Sequence, residues 1–256
     1  MLDLYYTSQH PNLIQIYYID DTTDEKLFFV CEDLFSEDAN AHKTESIVTL
    51  RDWIDGYLYE DAEPDISEKI LNIVIQLCSA VGYLHANQVI HGHLSPDHII
   101  ITEKNNFNIK VLNCCIPRVQ TLGKQNNFRV GNPFYWSPIQ ADIYYKLIET
   151  YCDIMKPQFE QGKVCRDLGK ETDMHSIGLI FLEMCYGERF WGLGSQPDIF
   201  EEFTGRYERM RKDKQLDDDG DLKITKKSFY YMVEVIKKLL TTDRYAQYDC
   251  YHCIKD

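Results

Sequence analysis

The sequence is short of positive charge and lacks several features that mark whole classes of proteins. It has 27 lysine and arginine residues against 41 aspartate and glutamate residues, so its formal net charge is −14. A protein that binds nucleic-acid phosphates or an anionic membrane surface needs a basic face, and this composition argues against both. No uninterrupted apolar run reaches the length of a membrane span, and no G-x-G-x-x-G phosphate-binding loop occurs.

Cysteine is not scarce, but its pattern argues against a disulfide scaffold. The chain has nine cysteines, an odd number, scattered through apolar segments, and it has no N-x-S/T glycosylation site. Residues 1–12 carry neither a basic start nor a long apolar core, so they do not predict a signal peptide. Reduced thiols and a cytoplasmic location fit this pattern best.

Apolar periodicity predicts one long helix and one β-hairpin. From Ile66 to Ala86 apolar side chains recur at helical spacing, and Ser67 can cap the helix. Two strand-like runs, Leu13 to Ile19 and Lys26 to Cys31, are joined by a polar turn from Asp20 to Glu25, which predicts a hairpin. Further helices are predicted at 49–56, 143–155 and 229–240, and further strands at 98–102 and 109–112.

The long helix is followed by a polar loop and a short apolar strand, H-G-H-L-S-P-D-H-I at residues 91–99. This stretch resembles the catalytic loop of the protein kinases, which reads H-R-D-L-x-x-x-N before an apolar strand. His91 and Leu94 keep the framework of that loop. Gly92, His93 and His98 stand where its arginine, its general-base aspartate and its metal-binding asparagine would be.

Other segments resemble kinase motifs in the same order, from His10 to about Cys253. They are H-P-N-L at 10–13, the E-D-L hinge at 32–34, N-C-C at 113–115 in place of D-F-G, V-G-N-P-F-Y-W-S-P-I at 130–139 in place of the end of the activation segment, T-D-M-H-S-I-G at 172–178 at the start of the central helix, and T-T-D at 241–243. The resemblance implies an α+β fold that is mainly α. We expect a kinase large lobe at residues 35–256 and, at residues 1–34, a small lobe reduced to about two strands.

The resemblance also implies that the chemistry of phosphoryl transfer is missing. Transfer needs positioned phosphates, metal-binding carboxylates and a general base. Asn113 replaces the magnesium-binding aspartate, and the degenerate positions His93 and His98 supply imidazoles where oxygen ligands belong. With His10 already at the H-P-N position, we expect no small-lobe lysine before it. We therefore predict no catalytic residue, no cofactor and no enzymatic activity. The alternative is a divergent ATP-binding phosphotransferase.

Two possible metal sites are weighed against structural explanations. His93 and His98 could ligate zinc together with a further nearby side chain. No conventional zinc spacing is present, so polar residues filling a degenerate loop are the favoured interpretation. Cys250, His252 and Cys253 are a weaker set, because we expect the last helix to place the two cysteines on different faces. The prediction is therefore that no metal is bound.

Some residues indicate a settled fold rather than a damaged one. In the kinase family a buried glutamate at the end of the activation segment pairs with an arginine near the last helix. Ile139 and Gln247 stand at these two positions, so neither charge is left unpaired. Asp173 is retained, and in the family this aspartate accepts hydrogen bonds from the backbone of the catalytic loop. We expect His91 to be a core histidine beneath that loop.

Among inactive kinases, the loop sequence, the short small lobe and the insert before the central helix resemble the kinase-like domain of the TBC-domain-containing kinase-like family. That resemblance implies a scaffold or regulatory module, placed in endomembrane trafficking. The hairpin is the expected partner site, because its edges are unpaired and it is apolar on both faces. We predict that a protein partner contacts Ile16, Tyr18, Phe28 and Val30. The chain would then be a subunit of a larger complex, without nucleic acid and without a membrane span.

Overall fold

The computed structural model has two small sheets and a larger set of helices. It describes residues 10–23, 26–34, 47–57, 66–103, 107–112, 132–137, 140, 169–186, 232, 234–236, 238–240 and 248–255, with the side chains of residues 19–29 left out. The elements in chain order are β1 (Ile16–Thr23), β2 (Lys26–Cys31), β3 (Val48–Thr49), α1 (Leu50–Tyr57), α2 (Ile66–Ala86), β4 (Ile99–Glu103), β5 (Asn108–Val111), α3 (Lys170–Tyr186) and α4 (Cys250–Lys255). Turns of 3₁₀ helix lie at Pro96–His98 and Pro133–Tyr135. This mainly helical content confirms the predicted α+β class, and the division at residue 34 stays a prediction.

β1 and β2 form the predicted hairpin. The strands are antiparallel, with Tyr18 opposite Val30 and Thr23 opposite Lys26. The first strand was predicted to end at Ile19, and this prediction is wrong because β1 continues to Thr23. β1 continues through polar residues because backbone N–H and C=O groups pair whatever the side chain is. The pairing shifts register between Asp20 and Thr23 and then resumes with Thr23 opposite Lys26.

The second sheet contains β3, β4 and β5 in that order, with both pairs antiparallel. β4 and β5 lie within one residue of the predicted bounds, which is the usual uncertainty of strand ends, whereas β3 was not predicted. Leu13 was predicted to begin the first strand, but it instead forms a parallel bridge with Val111 of β5. The N–H of Val111 donates to the carbonyl of Asn12 at 2.8 Å, and the N–H of Ile14 donates to the carbonyl of Val111 at 3.1 Å. Residues 12–14, which lie just before β1, thus attach the hairpin to the second sheet.

The central element is α2, which has the predicted bounds. Its buried face comprises Ile66, Ile70, Ile73, Val74, Leu77, Cys78, Ala80, Val81, Leu84 and His85. This face packs against α3, α4 and β5. By length and composition α2 could cross a membrane, yet 50% of its most apolar window is buried inside the domain. That burial is typical of the core helix of a folded domain.

A reciprocal cap begins α1 at the predicted Thr49. The backbone N–H and the hydroxyl of Thr49 donate to the carboxylate of Asp52 at 2.8 and 2.7 Å, and the N–H of Asp52 donates to the Thr49 hydroxyl at 3.1 Å. These bonds satisfy backbone donors that the first turn of a helix leaves unpaired. The cap fixes the orientation of α1, from which Arg51 points into the core.

The buried helix α3 packs closely on the helical residues between 232 and 240. A Cβ on Gly178 would lie 2.8 Å from Cδ2 of Leu240 and 2.9 Å from Cβ of Leu239, so only glycine permits this approach. Of the residues predicted to face inward from this later helix, Ile236, Leu239 and Leu240 are buried. The helix predicted to begin at residues 172–178 is therefore present as α3.

The short helix α4 lies against α2. Cys250 and Cys253 are on the same face of α4, where Cys250 belongs to the core and Cys253 packs against it. The prediction that the two cysteines lie on different faces is wrong, because positions i and i+3 of a helix are neighbours. His252 is exposed, and its Nδ1 atom lies 2.7 Å from the Asp249 carboxylate.

Candidate functional site

One buried carboxylate on α3 holds the loop of residues 91–98. Asp173 accepts hydrogen bonds from the backbone N–H groups of His91 at 2.8 Å and Gly92 at 2.7 Å. The imidazole of His85 on α2 gives it a third bond, from Nε2 to Oδ2 at 2.9 Å. A fully buried carboxylate is tolerated only when it is partnered in this way. The expectation that Asp173 supports the backbone of the loop is confirmed.

His85, which the sequence analysis did not single out, is the charged partner of this carboxylate. Burial disfavours a charge on His85, but hydrogen bonds to Asp173 and Cys250 outweigh it and raise the pKa of His85 to about 9. His85 is therefore an imidazolium near neutral pH. The signal in the sequence was a histidine on the apolar face of α2, where a buried polar group needs a partner.

His91 is a core histidine, as predicted. Its Nε2 donates to the carbonyl of Leu112 at 2.8 Å, and its Nδ1 accepts the backbone N–H of His93 at 3.1 Å. This pair of bonds defines the tautomer, because a carbonyl can only accept and an N–H can only donate. Burial lowers the pKa of His91 and keeps the ring neutral.

Gly92 occupies the position of the family's arginine and has φ of 69°. A residue with a Cβ is strained in this left-handed region, whereas glycine enters it freely. The carbonyl of Gly92 also accepts a bond from Nε2 of Gln140 at 3.1 Å. The loop thus keeps its turn without the arginine side chain.

His93 and His98 stand at the two chemical positions of the loop and face each other. Their ring centroids are 4.1 Å apart. Burial and the neighbouring His98 and His91 lower the pKa of His93 to about 3. Burial also lowers the pKa of His98. Both rings are therefore neutral at pH 7, and the buried Nδ1 of His93 has no hydrogen-bond partner among the described residues.

Asp97 is the carboxylate of the loop, and its contacts are with Ser95 and Arg51. The Ser95 hydroxyl donates to Oδ2 of Asp97 at 3.3 Å and lies 2.9 Å from Nδ1 of His98. The other carboxylate oxygen of Asp97 is 4.0 Å from Nε of Arg51, and the side chain is 44% exposed. Asp97 therefore belongs to a local polar network rather than to a pair of metal-binding acids.

The described residues do not fit the magnesium that the family's loop holds. Magnesium requires a near-octahedral set of oxygen ligands, whereas His93 and His98 offer ring nitrogens. Within the part of the chain that the structure describes, no group of three or more His, Cys, Asp or Glu side chains could hold a metal ion. For zinc, the predicted pair His93 and His98 supplies two ligands at most.

Some predictions fall on residues outside the described ranges. They concern Asn113 at the D-F-G position, the jointly lost pair Ile139 and Gln247, and the extra helix at 143–155. These stay predictions.

A buried ion pair beside the loop was missed by sequence reasoning. Nη1 of Arg51 donates to Oε1 of Glu183 at 2.5 Å, and the Tyr135 hydroxyl donates to the same carboxylate. Burial opposes a charged state, but the hydrogen bond to Glu183 outweighs it and raises the pKa of Arg51. Burial, with the charge of Glu183, raises the pKa of Tyr135. The signal was an acidic residue inside the apolar run of α3, since a buried carboxylate needs a partner.

Further hydrogen bonds connect the described residues of this segment, 132–137 and 140, to α3 and to the loop. The Ser176 hydroxyl on α3 donates to the carbonyl of Tyr135 at 2.7 Å. Gln140 accepts the N–H of Ser137 at 3.0 Å and donates to Gly92 from its amide nitrogen. The segment that resembles the end of the activation segment is thus part of the same frame as the loop.

Glu32, at the predicted hinge, connects the hairpin to the second sheet. Its carboxylate accepts two bonds from Nζ of Lys110, both at 2.9 Å, and one from the N–H of Gln15 at 2.8 Å. Nearby, Nδ2 of Asn12 donates to the Gln76 side chain on α2 at 2.7 Å. The H-P-N segment and the hinge therefore hold the base of the hairpin.

The four predicted partner-binding residues fall into different environments. Tyr18 and Val30 pair across the hairpin and are each 53% exposed, and the adjacent Tyr17 is 54% exposed. Ile16 is 5% exposed and belongs to the core cluster, so it is not part of a free surface. Phe28 lies in β2, and its side chain is outside the description. The exposed apolar surface of the hairpin is thus centred on Tyr18 and Val30.

Comparison with known proteins gives a consistent family assignment. A family model described as "Protein kinase domain" matches residues 2–256. Myosin light chain kinase A of Dictyostelium discoideum is 26% identical over 207 residues, covering 78% of this chain and 55% of that protein. A probable inactive serine/threonine-protein kinase of Dictyostelium discoideum is 28% identical over 120 residues, covering 46% of this chain and 14% of that protein. The TBC domain-containing protein kinase-like protein of Gallus gallus is 24% identical over 127 residues, covering 49% of this chain and 13% of that protein.

The fold is similar to that of a solved structure, described as the crystal structure of Rad53 1–466 in complex with AMP-PNP. The similarity covers 99% of this chain and 52% of that chain, with a TM-score of 0.58 and 17% sequence identity. The chain spans 13% to 55% of the length of the three relatives. The predicted kinase-like fold is confirmed by these findings together.

Proposed function

The chain belongs to the protein kinase domain family, and we propose that it is a catalytically inactive member that works as a protein-interaction module. Two parts of the molecule support the proposal. The loop at residues 91–98 keeps its frame while its chemical positions are unsuited to phosphoryl transfer. The hairpin offers an apolar surface for a partner.

His93 is the observation that carries the proposal of inactivity. It occupies the position of the aspartate that accepts the substrate hydroxyl proton in protein kinases. The pKa of His93 is lowered to about 3, because burial and the neighbouring His98 disfavour its charged form. A neutral ring therefore stands where the family has a carboxylate, and it brings no negative charge to orient an attacking hydroxyl.

The loss of oxygen ligands supports the same proposal. Phosphoryl transfer depends on magnesium ions that neutralise charge on the transferred group. His98 occupies the second ligand position, and its Nδ1 is already in contact with Ser95 at 2.9 Å. A magnesium ion placed at this point would meet imidazole nitrogen instead of carboxamide or carboxylate oxygen.

The direct test is a phosphoryl-transfer assay with radiolabelled ATP, magnesium and a generic protein substrate. We expect no transfer above a protein-free blank, and no change in melting temperature when ATP and magnesium are added. As a matched control, the triple variant His93→Asp, His98→Asn and Asn113→Asp restores the family's base and both of its metal ligands, and should gain a magnesium-dependent rise in melting temperature. Transfer by the unmodified chain that is abolished in His93→Ala would instead favour a divergent phosphotransferase.

For the partner, the hairpin and the charge of the chain favour one kind of occupant. Tyr18 and Val30 lie opposite each other and are half exposed, and among the described strands β1 and β2 pair only with each other, which leaves each an outer edge. The chain has a formal charge of −14, and acidic residues follow Tyr18 at positions 20, 21, 24 and 25. We infer an extended protein segment that is basic, carries apolar residues at alternate positions and pairs along the hairpin as an added strand. A cytoplasmic complex, near endomembranes as the sequence resemblance implies, is the setting that we propose.

A peptide selection tests this inference. Displayed random 12-residue peptides are selected on the full chain and counted for basic residues and for alternating apolar ones. We expect the selected peptides to lose binding to the double variant Tyr18→Lys with Val30→Lys. The control is Leu71→Lys with Ile75→Lys, which changes equally exposed apolar residues on α2, at 42% and 45%, away from the hairpin. Peptides that bind the hairpin variant as well as the unmodified chain would refute this docking site.

A further inference from the structure

A continuous row of buried polar side chains runs between α3, α2 and α4, on the side of Asp173 away from the loop. Asp173 accepts the bond from His85 at 2.9 Å. His85 and Cys78 are the side chains that act most strongly on the pKa of the buried Cys250 thiol. Cys250 and Cys253 act in the same way on the pKa of Cys78. The proposed function uses none of the three thiols.

The geometry of two helices brings these groups together. Cys78, Gly82 and His85 lie at positions i, i+4 and i+7 of α2, so they share one face. A Cβ on Gly82 would lie 3.1 Å from Cβ of Cys250, which is tighter than ordinary contact. The absence of a side chain at Gly82 thus lets α4 rest directly on the backbone of α2. Cys250 is then held between the two polar groups of that face.

A second buried cysteine provides an internal comparison. Cys185 is fully buried, and its Sγ lies 3.9 Å from Sδ of Met232. Cys250 is 6% exposed, and its Sγ lies 3.4 Å from Sδ of Met174. The two thiols are therefore alike in burial and in their contact with a methionine sulfur. They differ in that Cys250 also contacts an imidazolium.

This difference decides the protonation state of each thiol. Burial raises the pKa of Cys185, as expected for a thiol in apolar surroundings. Hydrogen bonds from Cys78 and then from His85, against the effect of burial, lower the pKa of Cys250 to about 6. Hydrogen bonds to Cys250 and Cys253 raise the pKa of Cys78, which stays a thiol. A thiolate beside a protonated thiol is the arrangement from which a disulfide forms.

We propose that Cys250 and Cys78 form a peroxide-sensitive site, in which oxidation of Cys250 leads to a disulfide that joins α4 to α2. The close approach of Cys250 to α2 at Gly82, with Cys78 one turn before Gly82 and His85 about one turn after it, carries this assignment. Cys253 lies on the same face of α4 and is only half-buried. Hydrogen peroxide, which is scarcely larger than water, is the oxidant.

Two steps complete the reaction. The Cys250 thiolate attacks one oxygen of hydrogen peroxide and the O–O bond breaks. Cys250 becomes a sulfenic acid, and the released hydroxide takes a proton to become water. The sulfur of Cys78 then attacks the sulfenic sulfur, the S–O bond breaks, and the hydroxyl group leaves as water with the proton of Cys78. Two electrons pass from the two sulfurs to the peroxide, and one disulfide is formed.

The first test uses the full reduced chain, treated with hydrogen peroxide at pH 7 and analysed by intact mass and peptide mapping. We expect a loss of two hydrogens and a cross-link between the peptides that contain Cys78 and Cys250, reversed by dithiothreitol. Cys185 should stay reduced under the same treatment. The variant Cys78→Ser should stop at a sulfenic acid on Cys250, trapped by dimedone, while Cys253→Ser should still form the disulfide. Peroxide treatment that leaves Cys250 reduced, or that gives only disulfides without it, would overturn the proposal.

The second test follows the rate of Cys250 oxidation with pH in the unmodified chain, so it does not depend on a variant that folds. We expect the rate to rise with an inflection near pH 6 rather than near the ordinary thiol range of about 8.5. His85→Gln should move the inflection upward and slow the reaction at pH 7 by about three- to tenfold, because lower thiolate content is partly offset by higher intrinsic nucleophilicity. An inflection in the ordinary range in the unmodified chain would refute the activation of Cys250.

Discussion

The two halves of the loop at residues 91–98 differ in how completely their polar groups are hydrogen-bonded. The first half, His91 and Gly92, donates two backbone bonds to Asp173, and each ring nitrogen of His91 has a partner. The second half, His93 and His98, consists of two facing imidazoles, and one buried nitrogen has no partner among the described residues. The shape of the loop is maintained by groups outside it, such as Asp173. That shape is therefore independent of which residues stand at positions 93 and 98.

Removing the support of the first half should have the largest effect. Asp173→Ala leaves the buried charge of His85 and two backbone N–H groups without their acceptor. We expect the free energy of unfolding to fall by about 3–5 kcal/mol, measured by urea denaturation.

The matched control removes the second half instead. His93→Ala combined with His98→Ala takes away two neutral rings, one of which has an unpartnered buried nitrogen. We expect a change within about 1 kcal/mol. If this double variant destabilises the chain as much as Asp173→Ala does, the two halves are not independent.

The dependence of stability on pH should distinguish His93 in the loop from His85, the partner of Asp173, by its sign. The folded pKa of His93 is lowered to about 3, so its contribution is present above the unfolded value of 6.5 and is lost as pH falls. We expect His93→Asn to reduce the loss of unfolding free energy below pH 6.5 by up to about 1.4 kcal/mol per pH unit. Urea denaturation at pH 6.5, 5.5 and 4.5 measures this slope, and an unchanged slope would contradict the assignment.

The contribution of His85 to stability changes with pH in the opposite direction to that of His93. Its folded pKa is raised to about 9, so its contribution is present below pH 6.5 and is lost as pH rises through 9. The lowered pKa of Cys250 compensates over this window, because its contribution is present above the ordinary thiol pKa and is lost as pH falls toward 6. We expect the unmodified chain to be nearly flat between pH 6.5 and 9. Cys250→Ser should lose stability as pH rises over the same range.

A smaller effect should come from the backbone of the first half. Gly92 has φ of 69°, so Gly92→Ala should cost about 1 kcal/mol through strain. Gly56 on α1 is the control, because a Cβ there meets nothing within 4 Å. We expect Gly56→Ala to stabilise the chain by about 0.5–1 kcal/mol, since alanine favours a helix. Denaturation of both variants should give changes of opposite sign.

Local patterns predicted much of the fold and of the loop frame. The bounds of α2 follow from an apolar face that recurs at helical spacing over the whole segment. The roles of His91 and Asp173 follow from the order of several degraded motifs along the chain. In these cases each residue was informative because its neighbours in sequence, or its place in a known pattern, limited what it could do.

The rest depends on contacts between distant residues, which the sequence does not specify. Arg51 and Glu183 are 132 positions apart, and neither lies in a recognised motif. Ile16 and Tyr18 look alike in an apolar strand, yet one is buried and the other exposed, because the base of the hairpin is attached to β5. The row from His85 to Cys253 could not be predicted without the position of α4 against α2. Only the packing of elements determines these outcomes.

The packing of α4 on α2 has a consequence for how the domain is made. About 170 residues separate Cys78 from Cys250, so the strip of α2 around Gly82 emerges from the ribosome long before the helix that covers it. At about 5–20 residues per second, this interval is on the order of 10–30 s. A nascent chain arrested before residue 248 would present that strip uncovered to chaperones. The completed domain therefore becomes distinguishable from its precursor only when α4 has been synthesised and has reached α2.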